Sequence, residues 1–558
     1  MSTVGERSYL NLLSDILENG VDKDDRTGVG TRSVFGRQLR FNMNDGFPAV
    51  TTKKLAWKAV VSELLWFLEG STSTHRLAEI KNDNKPYYEL DEKERFTIWN
   101  ANYECQGKKL GYVSGNLGRI YSAQWVNLYD IDFDKYEIVD DVEYIDDYVE
   151  PVFEKLIPQV SKDENIGKIY KSNRGKDLQI ISKVNKEDKT HSYYLIQFLE
   201  TNSTKVERFD AIKKGLCKDD YEPSLYGVGK LGDISEEDKK QEVYRILVHR
   251  WRNMISRCYN IDDKLYPYYG AKGVKVCKRW HTLSNFLEDA PQLFGFQKLL
   301  ENNSYEIDKD IYGAKIYSPK TSLFVPKEYN IKLCNCKPLI YKDEIYLSVK
   351  DFCEKNDFAS ESGLKHHLNG RYTKKYSEIK RLEIPDGKHV RYKLVKINQV
   401  QNIIDIIRKN PNDRRLLVVA WNPIDLPFMA LPPCHYSFQF YVSGNKLSLM
   451  WNQRSVDTCT GLPFNIASYA LLLHIIAKMT NLIPCDLIGT LGDTHIYKNH
   501  FEGAMEQIKR EPHELPTLEM PDIDWSGSID DVLKQVKTSD FKLINYVHDD
   551  PIKYEMAV

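Results

Sequence analysis

Tyr9, Leu10, Leu12, Leu13, Ile16 and Leu17 recur at the spacing of one helix face and stop at Gly20, which predicts a helix over 9–20. Asp25 to Thr31 follows as a glycine-punctuated loop, and Ser33 to Asn42 alternates like a strand. Val60 to Leu68 is apolar almost throughout, with Glu63 its one carboxylate, and reads as a buried helix. Ile466 to Met479 is similarly apolar, but Ser468, His474 and Lys478 interrupt it. A membrane span needs roughly 18 apolar residues, so this stretch also predicts a buried helix.

The pattern changes near Asn127. From Tyr129 the chain turns acidic, then lysine-rich and strand-like over Leu178 to Val184 and Tyr193 to Phe198. Tyr244 to Tyr259 is helical in spacing, with Trp251, Met254 and Ile255 on one face. Near Val395 the first texture returns, and Ile397 to Lys409 predicts an amphipathic helix. The simplest organisation is one domain, 1–129 with 395–558, interrupted by an insertion over 130–394. Such insertions are tolerated where the two chain ends lie close together at an exposed loop.

Composition refines this picture. With 558 residues and 42% apolar positions the chain can build two or more cores. The net charge of −2 hides an imbalance: residues 131–160 hold ten acids against two lysines, and 161–390 hold 42 Lys and Arg against 34 acids. The acidic run reads as a solvated junction, and the basic excess suits a nucleic-acid surface. Ten scattered cysteines show no zinc-site spacing, and only Cys334 and Cys336 are close, so free thiols are expected.

One thiol has chemistry written around it. Cys434 stands in Leu431-Pro432-Pro433-Cys434-His435, followed by Gln453-Arg454-Ser455-Val456-Asp457 and Gly461-Leu462-Pro463-Phe464-Asn465. A thiolate nucleophile needs positive charge nearby, which Arg454, Arg26, Arg414 and Arg415 can supply. Arginine also suits a phosphate, because its planar fork stays charged and donates bidentately. The amide of Asn465 can donate to one carbonyl and accept from one N–H of a base edge.

Both outer segments resemble the thymidylate synthase family. The first carries Asp25-Arg26-Thr27-Gly28, Thr51-Thr52-Lys53, Glu63-Leu64-Leu65-Trp66-Phe67-Leu68, Ile98-Trp99-Asn100-Ala101-Asn102 and Leu117-Gly118-Arg119-Ile120-Tyr121. The second carries Asp413-Arg414-Arg415, Ala420-Trp421-Asn422, the Cys434 motif, Phe464 to Tyr469 and Gly492-Asp493-Thr494-His495-Ile496-Tyr497. The resemblance implies an α/β (α+β) thymidylate synthase fold with a large α+β insertion, acting as a homodimer in the cytoplasm, or in the host cytoplasm for a phage-encoded chain. It implies dUMP as substrate and 5,10-methylenetetrahydrofolate as co-substrate. Cys434 would be the nucleophile, with Glu63, His435, Tyr121, Asp457 and Asn465 completing the catalytic set. Arg26, Arg414, Arg415, Arg454, Ser455, Val456, Asp457, Asn465, His495, Ile496 and Tyr497 would hold dUMP. Trp99, Leu431, Asp457, Gly461, Phe464, Ala557 and Val558 would face the folate. The chain departs from the family pattern at Ala56, Asn100, Ser122 and Val126. A dUMP hydroxymethylase would share Cys434 and Asn465, and a DNA-binding mobile-element protein with a non-catalytic synthase scaffold is a rival of another class.

The insert reads differently. Neither junction carries the nucleophile and His-Asn pair that protein splicing needs, so the insert is expected to stay in the chain. Residues 160–330, with Trp251 to Tyr259, Val276-Cys277-Lys278-Arg279-Trp280 and Ile307-Asp308-Lys309-Asp310, resemble phage HNH-type homing endonucleases. His249 and His281 stand isolated, which leaves no metal site legible. Asp308 and Asp310 are the one pair that could hold Mg2+, against the plainer reading of a solvated strand face. Residues 331–390, with Ser348 to Cys353 and Ser360 to Gly370, resemble a helix-turn-helix module, with Arg371, Lys374 and Lys375 following. DNA is the partner this implies for the insert, and no membrane is expected.

Overall fold

The computed structural model describes residues 5–25, 28–185, 190–302, 304–334, 336–371 and 373–555. It divides into two compact units, 1–130 with 395–558, and 131–394.

The first unit is built on a six-stranded sheet in the order Val21–Lys23, Thr31–Asn42, Ile483–Tyr497, Lys446–Asp457, His435–Ser443, Leu417–Val419. Only the central pair, Lys446–Asp457 with Ile483–Tyr497, is parallel. A parallel pair needs a crossover, and helix Gly461–Met479 supplies it. That helix is apolar all round and lies in the core, with Leu462, Ile466, Ala470, Leu473 and Ile476 buried. By length and composition it could cross a membrane, yet 72% of its apolar window is buried within the fold.

Helix Trp57–Glu69 packs beside it and stops at Gly70, whose φ of 80° is the left-handed value glycine adopts freely. A Cβ there would meet Val126 Cγ2 at 2.5 Å, so the stop also sets close packing against helix Tyr121–Val126. Strand Lys446–Asp457 alternates, burying Leu447, Leu449, Trp451, Gln453 and Val456. Behind it Trp451 stacks on Tyr469 at 5.4 Å, and Gly489 lies against the Trp451 ring. Any Cβ at 489 would come within 2.4 Å of that ring. Gly489→Ala is therefore expected to lower stability by about 2 kcal/mol through overpacking, read as a fall in the urea midpoint at unchanged slope.

The elements expected from periodicity are present with shifted ends. The first helix runs Glu6–Asn19, the strand Thr31–Asn42 and the long core helix Gly461–Met479. Ile397 is the exception. It ends strand Lys388–Ile397, and the helix begins at Gln399 because the Asn398 side chain caps it by accepting from Gln401 N–H.

The described residues of the second unit form several small cores. Strands Ile169–Lys171, Asp177–Val184, Tyr193–Phe198 and Thr204–Arg208 form an antiparallel meander over Leu178, Ile180, Ile196, Phe198 and Ile212. Helix Glu242–Tyr259 buries Leu247, Trp251, Met254 and Ile255, and Trp251 donates to Trp280 O. Strands Leu339–Tyr341, Glu344–Tyr346 and Lys380–Arg381 form a third sheet beside helices Val349–Lys355 and Glu361–Leu368. Strand Leu128–Asp140, which leads into this unit, pairs with Lys388–Ile397, which leaves it.

Asp308 and Asp310 do not share a solvated strand face. The strand is Tyr305–Asp308, and Asp310 opens a separate turn, so the alternation in sequence is not an alternation in space. Asp308 is buried and accepts from Ile311 N–H, while Asp310 pairs with Lys309 at 2.5 Å. Burial pushes the Asp308 carboxyl up to about 7, with the nearby Asp310 charge adding to the shift. Among the described residues no three His, Cys, Asp or Glu side chains converge as metal ligands.

Candidate active site

Cys434 precedes strand His435–Ser443, and a bulge between His435 and Ser437 breaks the ladder beside it. Bulges re-aim side chains locally. The Cys434 N–H donates to Tyr121 Oη at 2.5 Å, and its carbonyl accepts from Arg454 N–H at 2.8 Å. The thiol residue is half-buried in a mostly buried setting.

An aromatic layer backs it. Phe67 stacks on Tyr121 at 5.1 Å, Tyr121 lies 4.4 Å from the His435 ring, and Trp99 lies 6.0 Å from Tyr121. Burial pushes the Tyr121 phenol well above its ordinary range, so it stays a neutral hydroxyl. His435 Nδ1 lies 2.8 Å from Tyr469 Oη, and desolvation pushes the imidazole down to about 3. It is therefore neutral at every working pH.

Glu63 sits on helix Trp57–Glu69 and accepts from Trp99 Nε1–H at 2.6 Å. Burial pushes its carboxyl up to about 7, and the Trp99 hydrogen bond offsets part of the rise. The group is thus poised between acid and base near neutral pH.

The sheet register assembles the other wall. His435 pairs with Gln453, Ser455 with Asp493, and Asp457 with His495. Asn465, on the first turns of helix Gly461–Met479, accepts from Gln453 Nε2 at 3.0 Å. Gln453 also donates to Ser455 O and accepts from Trp451 Nε1–H, so the Asn465 amide is held with its oxygen toward Gln453. Asp457 accepts from the N–H groups of Cys459 and Thr460 and from the Thr460 hydroxyl, which fixes the turn into that helix. His495 lies 3.5 Å from Asp493, and its ring meets Tyr497 edge-on at 5.3 Å.

Arg454 is exposed and anchored. Its Nε and Nη2 donate to the Pro433 and Pro432 carbonyls, and its guanidinium lies 5.3 Å over Trp421. Arg414 and Arg415 are exposed ahead of strand Leu417–Val419, and Arg415 pairs with Asp413 at 2.8 Å. Leu431, Gly461 and Phe464 are half-buried. Strand alternation turns Val456 and Ile496 fully into the core, so only their backbone can meet a ligand. Arg26, Ala557 and Val558 lie outside the described residues.

The departures from the family pattern have local explanations. The Ser122 hydroxyl donates to Ser71 O at 2.5 Å, and Val126 is buried against Gly70. Asn100 accepts from the Thr97 N–H and hydroxyl, capping its own short turn. Nothing in the structure explains Ala56.

Sequence reasoning gave no role to Gln453, Tyr469, Trp421 or Lys53. Tyr469 follows Asn465 by four residues on one helix, which is the spacing of a shared face. Lys53 is buried, donates to Cys459 O, and is pushed down to about 8 by that burial.

The model of the family described as thymidylate synthase matches residues 7–170 and 341–558. The chain is 27% identical to a thymidylate synthase of Enterobacteria phage T4 over 558 residues, covering 99% of this chain and all of that protein. It is 26% identical to a probable thymidylate synthase of Escherichia phage T5, covering 92% and 88% respectively. The crystal structure of the T4 phage enzyme matches with a TM-score of 0.47 at 27% identity, covering 99% of both chains. The family match runs past residue 130 and begins before 395, yet 131–170 and 341–394 fold with the second unit. Those margins take part in the strand pairs and cores of the second unit. The chain belongs to the thymidylate synthase family, with its domain split by an intervening region.

Proposed function

We propose that the chain converts dUMP and 5,10-methylenetetrahydrofolate to dTMP and dihydrofolate. The observation that carries this reading is the convergence around Cys434. Tyr121, the Glu63–Trp99 pair, the His435–Tyr469 pair and Arg454 surround it, and Gln453 fixes Asn465 in the same wall.

In this reading Cys434 Sγ adds to C6 of the uracil, and electron density moves to C5 and O4. Asn465 accepts from N3–H and donates to O4, which a uracil edge satisfies. Glu63, with its carboxyl near neutrality, relays protons to the pyrimidine through water. Neutral His435 and Tyr121 shape the wall beside the thiol. Arg454 holds the phosphate with Arg26 and Ser455, and Arg414 and Arg415 reach it from the second subunit. His495 and Tyr497 bind the deoxyribose hydroxyl. Trp99, Leu431 and Phe464 offer an apolar wall suited to a flat pterin, and Asp457 and Gly461 border it. Bound methylenetetrahydrofolate supplies the one-carbon unit and the hydride. Ala557 and Val558 are assigned to the folate by the family resemblance alone.

A homodimer is supported by the solvent face of the sheet. Phe35 is 80% exposed and Tyr441 68%, and Tyr441 lines a groove of mixed polarity with Arg40, Lys446, Met450, Asp486 and Ile488. Large aromatic side chains left in solvent on a sheet face suit a partner surface.

Release of the C5 hydrogen tests this reading. With 5-tritiated dUMP, label should appear in water when methylenetetrahydrofolate is added, and its absence would defeat the proposal. A second test targets the base edge. Asn465→Asp replaces a donor with a second acceptor, so the dUMP kcat/KM should fall about a hundredfold. Turnover of dCMP, whose N4 amine donates, should emerge, measured as competition between the two nucleotides.

For the insert we infer an HNH-type module followed by a helix-turn-helix, both binding DNA. The support is the order of motifs, the basic excess over 161–390, and helices Val349–Lys355 and Glu361–Leu368 with Arg371, Lys374 and Lys375 after them. The reading is one of binding, since Asp308 and Asp310 are each engaged elsewhere.

A further inference from the structure

Residues 141–161 form an extended segment without regular secondary structure, lying along the second unit. Its backbone is pinned at the ends, where Asp141 N–H donates to Gly387 O and Gln159 N–H to Ile181 O. Between these points Gln197 donates to Glu154 O and accepts from Leu156 N–H, and over 142–153 side chains hold the segment. Ile145, Val149, Val152 and Ile157 point outward, each more than three-quarters exposed. The half-buried side chains turned to the body include Tyr144, Asp146, Tyr148 and Phe153, the last against Tyr221, and the exposed Glu150 reaches back to Lys230. Asp146 is thus held inward while four branched apolar residues lie in water, against the usual preference.

The body offers these acids cations and N–H donors. Asp146 Oδ2 accepts from Lys278 N–H at 2.7 Å, and Glu150 Oε2 meets Lys230 Nζ at 2.5 Å. The Tyr148 hydroxyl accepts from Asn285 Nδ2 at 3.0 Å, with the Arg279 guanidinium 5.9 Å from its ring. The Tyr144 hydroxyl bonds to Ser318. Beside these contacts lie Lys275 and Lys315, joined by a backbone hydrogen bond, and Lys272 over Tyr268 at 5.8 Å. Lys272, Lys275, Lys278 and Lys315 are all exposed. Clustered lysines with an aromatic ring form the kind of face that attracts a nucleic-acid backbone.

We propose that residues 141–154 are an acidic strap that competes with the phosphates of duplex DNA for the Lys230–Lys278 face of the insert. The strap carboxylates occupy donors that a phosphate oxygen would use, and its scant backbone bonding lets it leave without unfolding a strand or helix. This rests on the DNA-binding reading of the insert. DNA binding would then be weak until the strap is displaced.

The test is binding of a fluorescein-labelled 30-base-pair duplex of mixed sequence by the full chain, followed by anisotropy at several salt concentrations. Asp146→Asn with Glu150→Gln should bind about fivefold more tightly than the unaltered chain, a size suited to two partly exposed contacts. Glu143→Gln with Asp147→Asn makes the same change in net charge on outward positions and should bind like the unaltered chain. Lys275→Glu with Lys315→Glu should weaken binding in either background. Equal tightening by both neutralised pairs would reduce the effect to net charge and overturn the strap. Equal binding by all the strap variants and the unaltered chain would overturn it too, while leaving DNA binding in place. No binding by any of them at low salt would overturn both readings.

Discussion

Replacing Cys434 with serine should lower kcat by at least about a thousandfold while leaving dUMP affinity within about threefold. Affinity should survive because the groups assigned to hold dUMP are untouched: Arg454 is anchored on the Pro432 and Pro433 carbonyls, and Asn465 on Gln453. Turnover should not survive, because a serine hydroxyl needs a strong base beside it and the site supplies none. His435 is tied to Tyr469, and its imidazole is pushed down to about 3, too low to take a hydroxyl proton. Tyr121 meets residue 434 through the backbone N–H rather than the side chain. Single-turnover kinetics with calorimetric dUMP binding separate the two effects. Turnover within tenfold of the unaltered chain would refute Cys434 as the nucleophile.

Glu63→Gln is the second large effect, and it should move activity and stability in opposite directions. The folded carboxyl ionises near 7, against 4.5 for the ordinary group, because burial penalises the carboxylate. Its folded pKa is raised, so between about pH 4.5 and 7 the folded chain holds a proton that the unfolded chain has lost. Stability therefore falls as pH rises through that window, and the whole deficit is present above pH 7. Allowing for the partial exposure of the residue, we expect the deficit to be on the order of 2 kcal/mol. The glutamine carries no charge and still accepts from Trp99 N–H. It should therefore be more stable than the unaltered chain at pH 8 and indistinguishable near pH 4. Its kcat should fall roughly a hundredfold to a thousandfold, as for a lost proton relay, and the ionisation near pH 7 in kcat/KM should vanish. Urea unfolding at pH 4 and pH 8 reads the first effect. An equal stability difference at both values would show that Glu63 ionises normally.

The chemistry around Cys434 was legible because it sits in short local motifs. Prolines, thiol and histidine are contiguous, and Arg454, Ser455 and Asn465 follow within about three dozen residues. The groups that orient them were not legible, since they depend on register. Gln453 reaches Asn465 because its strand ends beside the helix, and it faces His435 only through an antiparallel pairing. Trp421 comes under Arg454 from a separate segment. Element ends failed where a side-chain cap decided them, as at Asn398, which moves Ile397 from the expected helix into a strand. The pair Asp308 and Asp310 failed for a related reason. Period-2 spacing in sequence means a shared face only while the strand continues, and this one ends at Asp308. The acidic run after 130 was read as a solvated junction, whereas its carboxylates at 146 and 150 turn to N–H and ammonium donors.

Dihydrofolate formation tests the central claim most directly. Purified full-length protein is mixed with dUMP and methylenetetrahydrofolate, and the rise in absorbance from dihydrofolate is followed. The account predicts a rise that requires dUMP and is lost in Cys434→Ser. Exchange of the C5 hydrogen without dihydrofolate would contradict it in favour of hydroxymethylation, and neither change would contradict it outright.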